Sequence, residues 1–151
     1  MVSPAPRSLV WASFVLAILG LADAIYLAYE HGSGSNSYAC PDTGRINCAK
    51  VTTSSYSEFH GLPVAYLGLG FFVVLVVAMS PWAWGQRSPL LRWGRVALVT
   101  GGLGFAVYLV WAELYKLDAI CLYCTVAHAV AFLLFVIVLF AEASRVPEEE
   151  P

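Results

Sequence analysis

Long apolar runs alternate with short polar segments along this 151-residue chain. About 20 helical residues cross the roughly 30 Å hydrocarbon core of a bilayer. Four runs have about this length, and they predict spanning helices at residues 9–29, 62–80, 91–114 and 119–141. The pattern therefore predicts an all-α membrane protein, a four-transmembrane-helix bundle, with one long polar loop at residues 30–61.

The composition agrees with a membrane location. Hydrophobic residues make up 60% of the chain and charged residues 12%, whereas soluble domains carry about 25% charged residues. The net charge is −2 and the basic residues are scattered, so no nucleic-acid surface is predicted. We predict one membrane domain over residues 1–146 and a solvated acidic tail at 147–151. The first apolar run is long for a signal peptide and lacks an A-x-A-like cleavage site, so we expect it to be a span.

The distribution of basic residues predicts the orientation, because cytoplasmic loops are enriched in Lys and Arg. Five arginines flank one set of span ends, and three basic residues flank the other set. The first set is Arg7, Arg87, Arg92, Arg95 and Arg145, and the second is Arg45, Lys50 and Lys116. Both termini are therefore expected in the cytoplasm, with loops 30–61 and 115–119 outside.

All four cysteines fall on the predicted outer side, as two pairs. Cys40 and Cys48 flank a turn-forming Pro-Asp-Thr-Gly segment, and Cys121-Leu-Tyr-Cys124 opens the last apolar run. Cysteines three apart on a helix share a face, and a helix N-terminus favours a thiolate. The outer side is also oxidising, so disulfides persist there. We therefore expect thiol–disulfide exchange, in which a partner thiol attacks the loop pair, Cys48 reaches Cys121, and Cys124 faces a lipid-soluble carrier.

Two further roles for the cysteines stay open. Cys-x-x-Cys is half of a common zinc site, and the loop pair could supply two more thiolates, although its spacing is wide. Alternatively, the cysteines are small packed residues that share one end of the bundle by chance.

The end of the polar loop predicts a lid. Residues 54–59 resemble a short amphipathic helix with Ser54 or Ser55 as its N-cap, lying on the membrane surface over the bundle. Gly61 and Pro63 are expected to end it before the second span.

Together these features resemble the vitamin K epoxide reductase family, in its bacterial branch, over about residues 9–141. The resemblance is carried by Cys40-x7-Cys48, by Ser54 downstream, by Phe59-His-Gly61-Leu-Pro63 and by Cys121-Leu-Tyr-Cys124. The disulfide-bond B type of quinone-linked oxidase has a similar plan. It places its Cys-x-x-Cys in the first outer loop, which is the reverse of the order found here.

The resemblance implies a thiol:quinone oxidoreductase whose four-helix bundle surrounds a quinone. Cys40 would meet the partner, Cys48 and Cys121 would form the connecting disulfide, Cys124 would contact the quinone, and Ser54 would support the chemistry. The residues expected to contact the quinone are Cys124, His128, Ser57, Phe59 and Asp23.

The resemblance also implies an extracytoplasmic thioredoxin-like partner of the disulfide-bond A type. The electrons would pass to menaquinone, ubiquinone or phylloquinone in a bacterial inner (cell) membrane, supporting disulfide bond formation. Few residues follow the fourth predicted span, so we expect a separate partner rather than a fused thioredoxin-like domain. The alternatives are reduction of vitamin K quinone or epoxide as the main activity, or a non-catalytic metal-binding membrane protein. His128 replaces the tyrosine of vertebrate members, which favours quinone over epoxide reduction.

Polar and small residues inside the predicted spans have two interpretations each. His128 shares a helical face with Cys124, so it is either a quinone or thiolate partner or part of a helix–helix hydrogen bond. Asp23 is either a proton relay or, as we favour, a tie to the outer loop. Glu113 is expected at the membrane interface. The tryptophans 82, 84 and 93 predict an inner aromatic belt, and the glycines 101, 102 and 104 predict close helix packing.

Overall fold

The computed structural model describes residues 4–35 and 37–145, and the predicted acidic tail lies outside them. Within these ranges, six α-helices are joined by short turns and one two-stranded hairpin. The helices are α1 (Arg7–Ser33), α2 (Cys48–Thr52), α3 (Val64–Met79), α4 (Pro81–Gly85), α5 (Pro89–Trp111) and α6 (Leu122–Ala143). A 3₁₀ turn (Ser55–Ser57), strands β1 (Glu58–Phe59) and β2 (Leu62–Pro63) and a π-helical turn (Ala112–Leu117) complete the fold.

Three helices of the described chain are long and apolar enough to cross a membrane, namely α1, α5 with its π-helical turn, and α6. They confirm the first, third and fourth predicted spans as apolar helices. The helix α3 is also apolar but has only 16 residues, because Pro63 precedes it and the Ser80-Pro81 step separates it from α4. The chain is thus an all-α membrane protein with three long apolar helices and one shorter one.

The helix α1 is central, since it packs against both α3 and α6, while α5 packs mainly against α6. Fully buried side chains on three helices form the core, among them Ala17, Leu75, Leu134 and Val138. A Cβ atom at Gly20 would collide with the Phe72 ring, so this glycine sets the close approach of α1 and α3.

The outer surface of the bundle is apolar. Large aliphatic and aromatic side chains with more than half of their surface exposed occur on all four apolar helices, including Leu19, Val77, Val107 and Phe140. A water-soluble protein rarely exposes so large a continuous apolar surface. In a bilayer these side chains face lipid, and the helices satisfy their own backbone hydrogen bonds.

A buried charged cluster holds the end of the bundle opposite the cysteines. The Arg95 guanidinium donates to Glu142 at 3.0 Å and to the carbonyls of Ala78 and Ala83, each at 3.1 Å. It also lies 3.7 Å from the centre of the Trp84 ring. The prediction of Trp84 as an interfacial anchor is therefore wrong, because its ring is buried under this guanidinium, whereas Trp82 and Trp93 are exposed.

The loop between α1 and α3 also departs from the prediction. Residues 54–59 do not form one amphipathic helix: Ser54 precedes a single 3₁₀ turn, and Glu58 is already extended. The tight hairpin β1–β2 explains this, since His60 and Gly61 both have positive φ, as a two-residue turn requires. The α-helix that the structure shows in this loop is instead α2, which begins at Cys48.

Only one of the three glycines predicted to allow close packing on α5 does so. A Cβ at Gly102 would collide with the ring of Phe71 on α3, whereas Gly101 and Gly104 have open space beside them. Gly101 and Gly102 both line the internal cavity described below.

Candidate active site

A backbone bridge joins the loop to the start of α6. Ile46 and Ile120 form a parallel β-bridge. The Ile120 amide donates to the Arg45 carbonyl at 2.7 Å, and the Asn47 amide donates to the Ile120 carbonyl at 3.0 Å. The loop is therefore fixed to the chain one residue before Cys121.

The helix α2 starts at this bridge and carries Cys48 inward. The Asn47 side chain caps the helix by accepting the Lys50 amide at 2.8 Å, and it donates to Asp42 at 3.0 Å. Cys48 is 2% exposed and Cys121 0%. Both belong to one buried cluster with Val51 and Ala119. The structure thus brings one cysteine from each predicted pair together.

Cys48 is disulfide-bonded to Cys40, and the two Cα atoms are 6.1 Å apart. Cys40 is half-buried, and it borders a surface cleft of about 170 Å³ that Asp42 and Asn47 also line. Tyr38 lines the same cleft, and burial raises the pKa of its phenol above the ordinary value of 10. The disulfide is therefore reachable from outside through Cys40, in a cleft whose tyrosine stays neutral.

Two tyrosines hold the backbone before Cys40. The Tyr123 hydroxyl donates to the Ala39 carbonyl at 3.1 Å, and the Ala39 amide donates to the Tyr26 hydroxyl at 3.0 Å. The two rings pack against each other with centroids 4.7 Å apart. Tyr123, which lies between the cysteines of the Cys-x-x-Cys motif, thus positions the loop disulfide.

The second pair, Cys121 and Cys124, is reduced. Cys121 is not in the first turn of the last helix, as the sequence predicted, but is its N-cap, with φ −95° and ψ 118°. Its sulfur accepts the Cys124 amide at 3.2 Å. The sulfur of Cys121 therefore lies at the N-terminus of α6, where it takes part in capping the helix.

A cavity of about 540 Å³ lies within the bundle beside Cys124. Its wall is almost entirely apolar, with contributions from α1, α3, α5 and α6. The 3₁₀ turn and the hairpin cover it at the cysteine end. Of the predicted quinone contacts, it is lined by Cys124, His128, Ser57 and Phe59, and Ser54 also lines it.

The lid residues are tied to their own backbone. The Ser54 hydroxyl donates to the Val51 carbonyl at 2.8 Å, and the Ser57 hydroxyl donates to the Ser54 carbonyl at 2.6 Å. Phe59 packs edge-on against Phe105 of α5, with centroids 5.7 Å apart. The two serines thus fix the turn above the cavity, and Phe59 attaches the hairpin to α5.

His128 and Asp23, for which the sequence allowed two interpretations each, differ in their positions relative to the cavity. His128 forms no side-chain hydrogen bond to the part of the chain that the structure describes, so the predicted helix–helix hydrogen bond is not formed there. Asp23 is half-buried and is not among the lining residues of the cavity. Its Oδ2 atom is buried without a hydrogen-bond partner among the described residues.

Glu113 is the residue that sequence reasoning missed. It is not interfacial but 5% exposed, it lines the cavity, and its carboxylate accepts the Cys121 amide at 3.1 Å. The available indication was a carboxylate within a predicted span, eight residues before Cys121. The contact depends on the π-helical turn, which a regular hydrophobic pattern does not reveal.

The residues described do not group three or more His, Cys, Asp or Glu side chains around a possible metal position. In the disulfide-bonded state Cys40 and Cys48 also lack the thiolates that zinc binding requires.

The fold and the site define a membrane oxidoreductase in which two cysteine pairs meet above an apolar cavity between helices. The model of the vitamin K epoxide reductase family matches residues 11–139, and the chain belongs to this family. Family membership implies redox chemistry between thiols and quinones.

Proposed function

We propose that this protein oxidises the thiols of an extracytoplasmic thioredoxin-like protein and passes the electrons to a membrane quinone. The observation that carries the proposal is the buried cluster shared by Cys48 and Cys121. It lies between a disulfide bordering a surface cleft and a cavity bordered by Cys124. Each consecutive step of the relay Cys40, Cys48, Cys121, Cys124 thus joins neighbouring groups.

The chemistry is a series of thiol–disulfide exchanges. A partner thiolate attacks Cys40 of the loop disulfide, and the partner's second thiolate releases the reduced loop pair. Cys48 then attacks the sulfur of Cys121 when Cys121 and Cys124 are disulfide-bonded, and Cys40 resolves the Cys48–Cys121 disulfide. The two electrons now held by Cys121 and Cys124 reduce the quinone, and the two cysteines return to a disulfide.

The cavity has the properties that a quinone ring requires. Its volume of about 540 Å³ lies within the range of small-molecule pockets. Cys124 supplies a sulfur at its wall, while His128 and Ser57 supply polar groups for ring oxygens. Ser54 orders the lid, and Phe59 covers it. When bound, the quinone would accept two electrons, and the protein would position the quinone ring and stabilise the thiolate that reduces it.

We further propose that α3 is the fourth membrane crossing and that both termini are cytoplasmic. The apolar helix α3 packs along α1, and Leu62–Pro63 and α4 extend it at its two ends. The buried arginine cluster opposite the cysteines agrees with the positive-inside rule. The cysteine pairs then face the oxidising side of a bacterial inner membrane. Asp23 remains a candidate tie between α1 and the loop at that side.

The test uses the purified full chain in lipid nanodiscs, with a reduced thioredoxin-like protein and a quinone. We expect quinone-dependent oxidation of the partner, and we expect Cys48→Ala and Cys121→Ala to abolish it while the protein stays folded. Full activity in either variant would contradict the relay. The control is Ser144→Ala, which lies at the opposite end of the bundle and is expected to keep full activity.

A trapping experiment tests the entry point. In Cys48→Ala the free Cys40 thiol attacks the disulfide of the oxidised partner, and no Cys48 thiol is present to resolve the mixed disulfide, so we expect it to accumulate on non-reducing gels. A Cys40→Ala variant should not trap the partner. Equal trapping by both variants would show that the partner does not enter at Cys40.

A further inference from the structure

Glu113 is a buried carboxylate at the reactive cysteines that the electron relay leaves unused. It lies in the π-helical turn after α5, and π-helical turns within α-helices often mark functional positions. Its side chain lines the cavity, and its carboxylate accepts the backbone N–H of Cys121 at 3.1 Å. It is therefore held between the cavity and the cysteine at the N-terminus of α6.

The environment does not pair this carboxylate with a cation. Among the described residues, 4–35 and 37–145, no Lys, Arg or His forms an ion pair with Glu113. The other titratable groups at this end of the bundle include Cys121, Cys124 and His128 of α6, and Asp23 and His31 of α1. The permanent cations Arg45, Lys50 and Lys116 also lie at this end, but none of these three described residues forms an ion pair with Glu113: Arg45 pairs with Asp118, and Lys116 lies 5.1 Å from the centre of the Trp111 ring.

A purely structural role does not require a charge at this position. A single backbone N–H needs one acceptor oxygen, and a glutamine amide offers one without the cost of burying an ionisable group. What glutamate adds is the capacity to take up and release a proton. That capacity is useful here because oxidation of the thiols must remove a proton from Cys121, which is fully buried.

We infer that Glu113 accepts the proton of the Cys121 thiol while the Cys121–Cys124 pair is oxidised. This inference rests on the proposed function. Oxidation forms one S–S bond and releases two electrons and two protons, all of which end on the quinone as hydroquinone. The Cys121 proton passes to the Glu113 carboxylate and from there to the cavity, and the second proton comes from the Cys124 thiol.

The hydrogen bonds around Cys121 fit this assignment. The Cys121 sulfur accepts the Cys124 amide, so the thiolate left after proton loss is stabilised at once. The Cys121 amide in turn donates to Glu113, which keeps the carboxylate at the same residue. After Glu113 has released this proton to the cavity, it is again a carboxylate at Cys121 for the next cycle.

The decisive variant is Glu113→Gln, which keeps an acceptor for the Cys121 amide but cannot take up a proton. In nanodiscs with saturating reduced partner as the electron donor and with varied quinone, we expect kcat to fall by about 10²-fold or more, as for loss of a general base. The KM for quinone should stay unchanged. The loss should shrink as pH rises, because hydroxide then removes the thiol proton. The matched control is Glu30→Gln, the same change at a carboxylate of α1 that does not line the cavity, which should retain wild-type rates.

Wild-type kcat and pH profile in Glu113→Gln would overturn the inference, because the hydrogen bond alone would then suffice. If the glutamine variant is unstable, Glu113→Asp decides, since it keeps the carboxylate on a shorter side chain. Activity in Glu113→Asp well above Glu113→Ala supports proton acceptance, whereas equal losses overturn it. An inactive wild type would overturn the proposed function itself, whereas an active wild type that Glu113→Gln matches overturns only the role of Glu113.

Discussion

Ile46 and Ile120 are 74 positions apart in the chain, yet they form a parallel β-bridge that fixes the loop to the start of α6. Two residues after Ile46 comes Cys48, and one residue after Ile120 comes Cys121. The bridge therefore holds Cys48 and Cys121 in the same buried cluster. It also anchors the second half of the loop to the start of α6.

The cap of α2 should control the transfer between Cys48 and Cys121. Asn47→Ala removes the acceptor for the Lys50 amide and the donor to Asp42, and loss of such a cap typically costs about 1 kcal/mol. We expect faster hydrogen exchange in residues 48–52 and slower electron transfer, with little change in the thermal midpoint of the bundle. Asn47→Ser keeps a capping oxygen without adding a charge beside Asp42 and should retain protection. Unchanged exchange in Asn47→Ala would show that the bridge alone orders α2.

The N-cap role of Cys121 can be separated from its redox role. Both Cys121→Ser and Cys121→Ala should be inactive, because neither side chain can form a disulfide. Only serine can still accept the Cys124 amide, so we expect Cys121→Ser to be the more stable variant by about 1 kcal/mol. Thermal unfolding in detergent followed by circular dichroism measures this difference. Equal midpoints would mean that the sulfur contributes nothing as a cap.

Much of the helical framework was predictable because bilayer thickness imposes a length on every apolar run. The runs at residues 9–29, 91–114 and 119–141 became α1, α5 and α6 with only modest shifts at their ends. The cysteine pairs were predictable as two pairs at one end, because they flank runs that traverse the bundle in opposite directions. The pairing of Cys40 with Cys48 also follows the predicted turn.

The parts that escaped prediction depend on contacts rather than on periodicity. The positive φ values of His60 and Gly61 replace a predicted lid helix by a hairpin. The burial of Glu113 depends on the π-helical turn, and the burial of Trp84 depends on Arg95. In each case hydropathy places the residue near a helix end, but only tertiary packing decides whether it faces lipid, water or the cavity.

The charged cluster opposite the cysteines should be essential for stability. The Glu142 carboxylate forms ion pairs with Arg92 at 2.9 Å and with Arg95 at 3.0 Å, and the Glu142 side chain is buried. Removing one partner of a buried ion pair typically costs about 3–5 kcal/mol, because the other charge stays unpaired. We expect Glu142→Gln to lower the thermal midpoint strongly without changing activity per folded molecule.

The comparison for that prediction is the exposed ion pair between Arg45 and Asp118 at the other end of the bundle, at 2.9 Å. Exposed pairs contribute about 0–1 kcal/mol, so Asp118→Asn should change the midpoint little. If Glu142→Gln and Asp118→Asn lowered the thermal midpoint equally little, the charged cluster would not stabilise the fold. Its role would then be limited to orienting the chain in the membrane.

The approach of α1 to α3 offers a test of packing in which two glycines should respond with opposite sign. A Cβ at Gly20 would meet the Phe72 ring, and Phe72 is itself buried in the core. We expect Gly20→Ala to destabilise the bundle by about 1–3 kcal/mol, the usual cost of overpacking.

Gly70 provides the comparison for Gly20, since it lies on α3 but has open space beside it. Gly70→Ala should therefore stabilise α3 by about 0.5–1 kcal/mol, since alanine restricts the unfolded chain and favours helix. Unfolding midpoints of the two variants in the same detergent measure both effects. Destabilisation by both substitutions, or by neither, would show that Phe72 does not limit the distance between the helices.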